Sequence, residues 1–473
     1  MITWLSFVYL AAAAALSVYG LLGLFTLVVY WRHRHDAVPV PPSPKNWPKV
    51  TVQLPVFNEK YVVERLIDAA AALRYPREQL QIQVLDDSTD ETTAIAAARV
   101  AHYQQQGFNI SLHHRHNRQG FKAGALAEGL IKATGEFIAV FDADFQPQPD
   151  FLQDIVPHFL AEERLGLIQV RWDHLNQGQS PLTAAQAIAL DKHFAIEQVV
   201  RFRANYFPKF NGSGGVWRRQ CLEASGGWQD DTVCEDLCLS TRAVLNGWQF
   251  RFLPQVTAPA ELPTSITAYK NQQARWAKGS AQCLLKFGRE IVTSQEQSWV
   301  GRWYALLSMS AYVTSALVIV LLLALVPLVF LEYRFPSWLV LISIAGIGQP
   351  LLFLLAQRFL HPDWGRRLRH LPTLLVLAVG LAPAISRAIG QAVVGRDHPF
   401  VRTPKGEKGQ WVYRLPFDRI IFVELGLALY AAAGLIFCLY RQTYGPAFFF
   451  ITCLIGFGLV GLMSLRENWP KER

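Results

Sequence analysis

The sequence predicts an α/β domain on a largely parallel sheet, set between apolar segments long enough to cross a membrane. Three observations carry this. Short β-branched runs alternate with stretches of helical period through the middle of the chain. Apolar residues crowd into a run from Leu5 to Trp31 and into several more between Tyr304 and Leu465. The 473 residues are 51% hydrophobic and only 17% charged, a balance that favours a membrane protein.

The first run has no basic residue ahead of it, extends past the small-residue stretch AAAAAL, and ends at Arg32-His-Arg-His35. A cleaved leader shows the reverse charge order and a shorter apolar core, so residues 1–35 are expected to be an anchor whose C-terminal end is cytoplasmic. The proline-rich stretch from Val38 to Pro48 reads as a stiff linker. Residues 36–295 then form a cytoplasmic domain, and residues 296–473 a second membrane region. Six cysteines, Cys221, Cys234, Cys238, Cys283, Cys438 and Cys453, are too sparse for a disulfide framework, and CEDLC without a second pair is a weak zinc pattern; free thiols are expected. The net charge of +9 gathers beside apolar runs, at Arg32 and Arg34, at Arg366 to Arg369 and at Arg396 to Lys408. Lipid headgroups and positive-inside topology explain it better than nucleic acid.

Within the middle domain KVTVQLPVF, QIQVLDDS, EFIAVFDADF and LGLIQVRW read as strands, with EKYVVERLIDAAAAL and GFKAGALAEGLIKAT as helices. Ligands of such sheets bind beyond the carboxyl ends of the strands. That edge carries Asn58 and Glu59, Asp86 and Asp87, then Asp142 and Asp144. Two carboxylates flanking one small residue repel unless a cation or hydrogen bonds neutralise them, and oxygen ligands at this spacing suit Mg²⁺ or Mn²⁺ bridging a diphosphate. An isolated D-x-D can equally be a strand-end turn. Further on, Glu235 and Asp236 open a helix whose apolar face is Leu237, Leu239, Ala243 and Val244; Glu235 there can be a simple helix cap. Gln272, Arg275 and Trp276 share one face of an amphipathic helix expected from about Ile266 to Phe287.

The ordered set Asp87, Asp142-x-Asp144, Glu235-Asp236 and Gln272-x-x-Arg275-Trp276 resembles the processive family-2 glycosyltransferases, which include cellulose, hyaluronan and chitin synthases. VQLPVFNE and QVLDDSTDETT are most similar to the plant cellulose-synthase-like enzymes that make mannan and glucan backbones, and to their bacterial relatives. The resemblance covers about Val50 to Gly279. It implies a GT-A, Rossmann-like nucleotide-sugar-binding fold. It also implies that Asp87 meets the nucleotide base and Lys122 the diphosphate, with Gln272 and Arg275 on the donor side. Asp142 and Asp144 would hold Mg²⁺ or Mn²⁺, and Asp236 would be the general base. Asn211, Gly212 and Ser213, in FNGSGGVWRR, would lie beside the acceptor's terminal sugar with Glu235 and Trp276. Cellulose synthases carry a cysteine where Asn211 stands.

The residue types suit that chemistry on their own. Charge builds on the oxygen of the departing diphosphate, where a metal with Lys122 and Arg275 can stabilise it. The attacking hydroxyl is a weak nucleophile and needs a carboxylate, Asp236, to take its proton. A single displacement inverts the anomeric centre. The Trp276 indole offers an apolar plate for a sugar face, although alone it could be an interfacial belt residue.

Four further apolar runs, Ala311 to Leu331, Trp338 to Leu355, Ile420 to Tyr440 and Ala447 to Leu465, are long enough to span. Leu371 to Pro383 is not, and basic clusters flank it on both sides, so it is expected to lie in the interface or re-enter. Residues 400–409, with Phe400, Arg402, Thr403 and Lys405, then return to the catalytic side and resemble the gating loop of cellulose synthases.

The expectation is a multi-pass protein of the plasma (inner) membrane. It would transfer hexose from UDP-glucose or GDP-mannose to a growing β-linked polysaccharide such as β-glucan or (gluco)mannan, coupled to export. Its partners would be the nucleotide-sugar donor, the polysaccharide acceptor and the bilayer, without nucleic acid; the sequence leaves the oligomeric state open. A glycolipid synthase of the ceramide-glucosyltransferase type shares D-x-D and the terminal R-W signature, and a catalytically silent scaffold is the non-enzyme alternative.

Overall fold

The computed structural model describes residues 1–36, 38–395 and 417–468. Seven strands form one sheet: β1 (Val50–Val56), β2 (Leu80–Asp86), β3 (Ile110–His114), β4 (Phe137–Val140), β5 (Leu165–His174), β6 (Gly215–Arg218) and β7 (Gln249–Ala260). Their order is β3-β2-β1-β4-β6-β5-β7. All run one way except the four-residue β6, which pairs antiparallel with both β4 and β5. The sheet is thus largely parallel, as expected. Helices Val63–Ala71, Thr92–Gln105 and Phe121–Lys132 make the crossovers between β1, β2, β3 and β4.

Both faces of the sheet are covered, which explains why β4, FIAV, reads as a continuous apolar run and why Thr51 and Gln53 are buried although β1, VTVQLPV, alternates. One face packs Val50, Val52, Leu54, Ile82 and Val84 against Leu66, Ile67 and Ala70. The other packs Ile138, Val140, Leu167 and Trp217 against Leu237, Leu239 and the long helix Ile266–Thr293. The six cysteines are buried free thiols.

Among the described residues, four helices are long and apolar enough to cross a membrane: Ile2–His33, Val313–Phe330, Ile420–Tyr440 and Ala447–Asn468. Trp338 to Leu355 departs from the expectation of a continuous span. It is broken into Leu339–Ala345 and Gly348–Leu360. The break lies where the chain meets the first helix: a side chain on Gly20 would collide with the Ala345 carbonyl, and one on Gly348 with the Gly20 carbonyl. Backbones this close leave room only for glycine. Helix Gly348–Leu360 still ends beside the α/β domain, where Gln357 and His361 both hydrogen bond Asp191, at 2.8 and 2.9 Å.

Trp364–Gly380 and Ala382–Val394 form a pair bent by 44°, the geometry of either a broken span or a re-entrant segment. The second lies along helix Ile266–Thr293. That helix is tied to the last two apolar helices by buried polar contacts. The Lys270 ammonium lies 2.9 Å from Glu424 and 3.0 Å from Ser464, while Glu467 accepts from the Ile266 and Thr267 amides.

Candidate active site

The carboxyl ends of β1, β2 and β4, helix Glu235–Leu245 and helix Ile266–Thr293 converge on an open cleft of about 190 Å³. Asp87, Lys122, Asp142, Asp144, Asn211, Gly212, Glu235, Asp236, Gln272, Arg275 and Trp276 all line it. Residues separated by nearly 190 positions in the chain therefore share one space. Ser213 lies just beneath, its hydroxyl accepting the Asp142 amide at 2.9 Å. Phe400, Arg402, Thr403 and Lys405, with the rest of 400–409, fall outside the described residues.

Lys122 is the electrostatic hub. It comes from the first turn of helix Phe121–Lys132, and its ammonium sits 2.6 Å from Asp142, 3.6 Å from Glu235 and 2.9 Å from the Gly212 carbonyl. Burial opposes its charge, but Asp142, Glu235 and Asp236 outweigh this and hold its pKa above the usual lysine value. Asp142 lies deep in the domain yet opens to the cleft, with 34% of its side chain exposed. Its pKa is raised by burial, against Lys122 and with Asp144 and Glu235. Six carboxylates and three cationic side chains line the cleft. This negative excess, with two carboxylates one residue apart at a strand end, fits a hard divalent cation. Among the described residues no three His, Cys, Asp or Glu side chains could hold a metal by themselves, so such an ion would need oxygens from a bound ligand.

Asp236 stands in the first turn of its helix beside Glu235. Burial, then the Glu235 charge, push its pKa up to about 6, while Lys122, the Leu237 amide and Arg275 pull the other way. A carboxylate balanced there is ionised at neutral pH yet basic enough to take a proton. Glu235 makes no side-chain cap, since the N-cap residue is Cys234; its carboxylate turns to Lys122 instead. Gly212, at φ +83°, brings its loop against Asp236: a Cβ there would lie 2.9 Å from the Asp236 carboxylate. Gly279 lets helix Ile266–Thr293 close onto Cys234, where any side chain would strike the thiol. That contact holds the helix that carries Arg275 and Trp276 against the cleft that Asp236 lines.

Sequence reasoning missed Arg115. Its guanidinium grips both Asp87 oxygens at 2.6 Å and reaches Glu128 at 3.0 Å, fixing the carboxylate expected to face the nucleotide base. Arg118, at φ +42°, lies 3.3 Å over the Phe57 ring at the same end of the cleft. The basic run RHNRQGFK before Lys122 was the available signal. Nothing local says which arginine turns inward.

Residues 48–279 match the family described as Glycosyltransferase like family 2. Among curated proteins, Glucomannan 4-beta-mannosyltransferase 7 of Arabidopsis thaliana is 36% identical over 442 residues, covering 88% of this chain and 77% of that protein. Glucomannan 4-beta-mannosyltransferase 1 of Cyamopsis tetragonoloba is 42% identical over 252 residues, covering 52% of this chain; that match spans about half of the relative, 48%. Among solved structures, a mannosyltransferase from Pyrobaculum calidifontis in complex with GDP-Man and Mn2+ shares the fold, with TM-score 0.57 at 21% identity over 83% of this chain and 100% of its own.

Proposed function

The chain belongs to glycosyltransferase family 2, and on that premise we propose that it is an inverting, metal-dependent transferase. It moves mannose from GDP-mannose onto a growing β-1,4-linked mannan or glucomannan at the cytoplasmic face of a membrane, and the polymer leaves through its own helices. The observation that carries the reading is Asp236, a carboxylate with its pKa near 6, facing the same cleft as the Asp142–Asp144 pair and Lys122. The names of the two plant relatives support mannose as the sugar and the 4-linkage. The GDP-Man and Mn2+ bound to the Pyrobaculum calidifontis mannosyltransferase support the donor and the metal.

Donor binding uses the edge of β1 and β2. Asp87, immobilised by Arg115, offers a carboxylate acceptor to the base. Asp142 and Asp144 would hold Mg²⁺ or Mn²⁺, whose chemistry is to neutralise charge on the departing diphosphate. Lys122 and Arg275, from two different helices, bring cationic donors to the same leaving group in the cleft. Gln272 stands with Arg275 on the donor side, and Trp276, on the same helix face, bounds the acceptor side, where the indole supplies a flat apolar surface for a sugar ring. Asp236 takes the proton of the attacking hydroxyl. The cleft offers no need for a second nucleophile: one displacement on an α-linked donor yields a β-linked product.

Purified protein in lipid nanodiscs, given labelled GDP-mannose and UDP-glucose separately, should build polymer from the first, and β-mannanase should degrade it. Chelation or Asp144→Ala should abolish transfer with the fold retained. Full activity in excess chelator removes the metal from the reading, and a single-sugar lipid product would convert the enzyme into a glycolipid synthase.

A further inference from the structure

The cleft holds one arginine, Arg118, that takes no part in the sugar transfer. Phe57 follows β1, Asp87 follows β2, and Arg118 lies in the turn between β3 and helix Phe121–Lys132; all three line the cleft. The two strand ends are stitched together. The Asp87 amide donates to the Val56 carbonyl at 3.0 Å, the Asn58 amide to the Ser88 hydroxyl at 2.8 Å, and the Thr89 amide to the Asn58 side chain at 2.8 Å. Arg115 shapes the turn. While its guanidinium grips Asp87, other N–H groups of the same side chain hold the Gln119 and Phe121 carbonyls at 3.1 and 2.9 Å, and the Phe121 amide closes on the Arg118 carbonyl at 3.1 Å.

The turn leaves Arg118 at φ +42°, a left-handed backbone that residues with a side chain rarely adopt, with its guanidinium 3.3 Å from the centre of the Phe57 ring. Such strain persists only where the surroundings impose it, and it concentrates at ligand sites. Phe121 flanks the same cation at 4.9 Å. Burial disfavours the Arg118 charge, Asp87 favours it and Arg115 opposes it, so a carboxylate and a guanidinium share this end of the cleft.

That pair matches one nucleobase. Guanine carries its 2-amino group, N1–H, O6 and N7 in succession around its rim, two donors and then two acceptors. Asp87 can only accept, and a carboxylate that holds one arginine fork keeps acceptor sites to spare. Arg118 can only donate, and its fork fits O6 together with N7. Uracil has no N7, and it carries a carbonyl where guanine has the amino group. We propose that Arg118 reads the base, donating to O6 and N7 of a guanine nucleotide beside the groups that Asp87 accepts, and that it thereby selects guanine over uracil. Phe57, under the guanidinium, limits how far the fork can turn. The inference rests on the sugar-transfer reading with GDP-mannose as donor, and names the residue that chooses the nucleotide.

The test uses the full chain in nanodiscs with Mn²⁺ and reads nucleotide binding by calorimetry, which does not depend on turnover. Wild type should bind GDP about tenfold more tightly than 7-deaza-GDP, in which a C–H replaces N7, and at least about tenfold more tightly than UDP. Arg118→Met keeps an apolar stem on Phe57 without the fork. It should bind GDP about tenfold more weakly, bind 7-deaza-GDP within about twofold of GDP, and leave UDP unchanged, which also shows that the site has folded. With GDP-mannose as substrate its donor KM should rise about tenfold while the acceptor KM stays flat. GDP and UDP weakened equally would reduce Arg118 to a charge for the diphosphate, and a 7-deaza penalty that survives the substitution would place N7 elsewhere. Either result overturns the proposal while sugar transfer stands. A wild type that binds UDP more tightly than GDP, or that transfers nothing from GDP-mannose, overturns the donor reading beneath it.

Discussion

Asp236→Asn separates catalysis from stability. In the native chain the carboxyl holds its proton up to about pH 6, against 3.8 for the unperturbed group, so its folded-state pKa is raised. Between about pH 4 and 6 the folded protein binds a proton that the unfolded chain has released, and native stability falls as pH rises through that window. Roughly two pH units at 1.36 kcal/mol each give about 3 kcal/mol, reduced to about 1–3 kcal/mol because the group faces an open, hydrated cleft. Asparagine keeps the shape without the charge. At pH 7.5 the variant should therefore unfold about 3–6 °C above the wild type, and near pH 4 the two should converge. Its turnover should drop by about 10²-fold or more with donor affinity retained. Wild-type turnover should rise tenfold per pH unit up to about pH 6 and then level. Thermal unfolding followed by intrinsic fluorescence at several pH values, with nucleotide release measured on the same samples, reads all of these. A variant that turns over normally, or that is less stable than the wild type at pH 7.5, would refute both the role of Asp236 and the physical account of its pKa.

Trp276→Ala removes a stacking surface worth about 1 kcal/mol or more; its product should be shorter, or transfer to water should rise relative to transfer to sugar, as chain-length analysis would show. Arg115→Lys replaces a bidentate grip on Asp87 with a point charge and should raise the donor KM about tenfold while leaving acceptor KM alone; steady-state kinetics in each substrate decide it. Lys270→Met strands Glu424, whose side chain is fully buried, at a cost of about 3–5 kcal/mol, and Lys270→Met with Glu424→Leu should recover most of it; a double variant no better than the single one, by thermal unfolding in detergent, would deny the pair its place in docking the Arg275 helix.

Much of the site was legible because its signals are local. A strand that is apolar through FIAV and then turns acidic must put Asp142 and Asp144 at the sheet's carboxyl edge, whatever lies around it. The spacing of Gln272, Arg275 and Trp276 puts them on one helix face by geometry alone. The strands that went unnoticed, β3, β6 and β7, are less uniform in sequence. β6 in particular owes its existence to being squeezed between β4 and β5, a pairing between distant segments.

By itself the sequence determined the class of fold, the apolar helices at both ends and the carboxylates that meet in the cleft, since hydrophobic period and strand-end chemistry are written within a dozen residues. Tertiary structure decided the rest. It broke Trp338 to Leu355 at the backbone contact with Gly20, chose Arg115 out of a basic run to hold Asp87, and lifted Asp236 toward neutrality by burying it beside Glu235. It also laid Arg118 over the Phe57 ring. These are outcomes of close packing, desolvation and hydrogen-bond pairing between distant segments, and no local pattern encodes which segment will arrive.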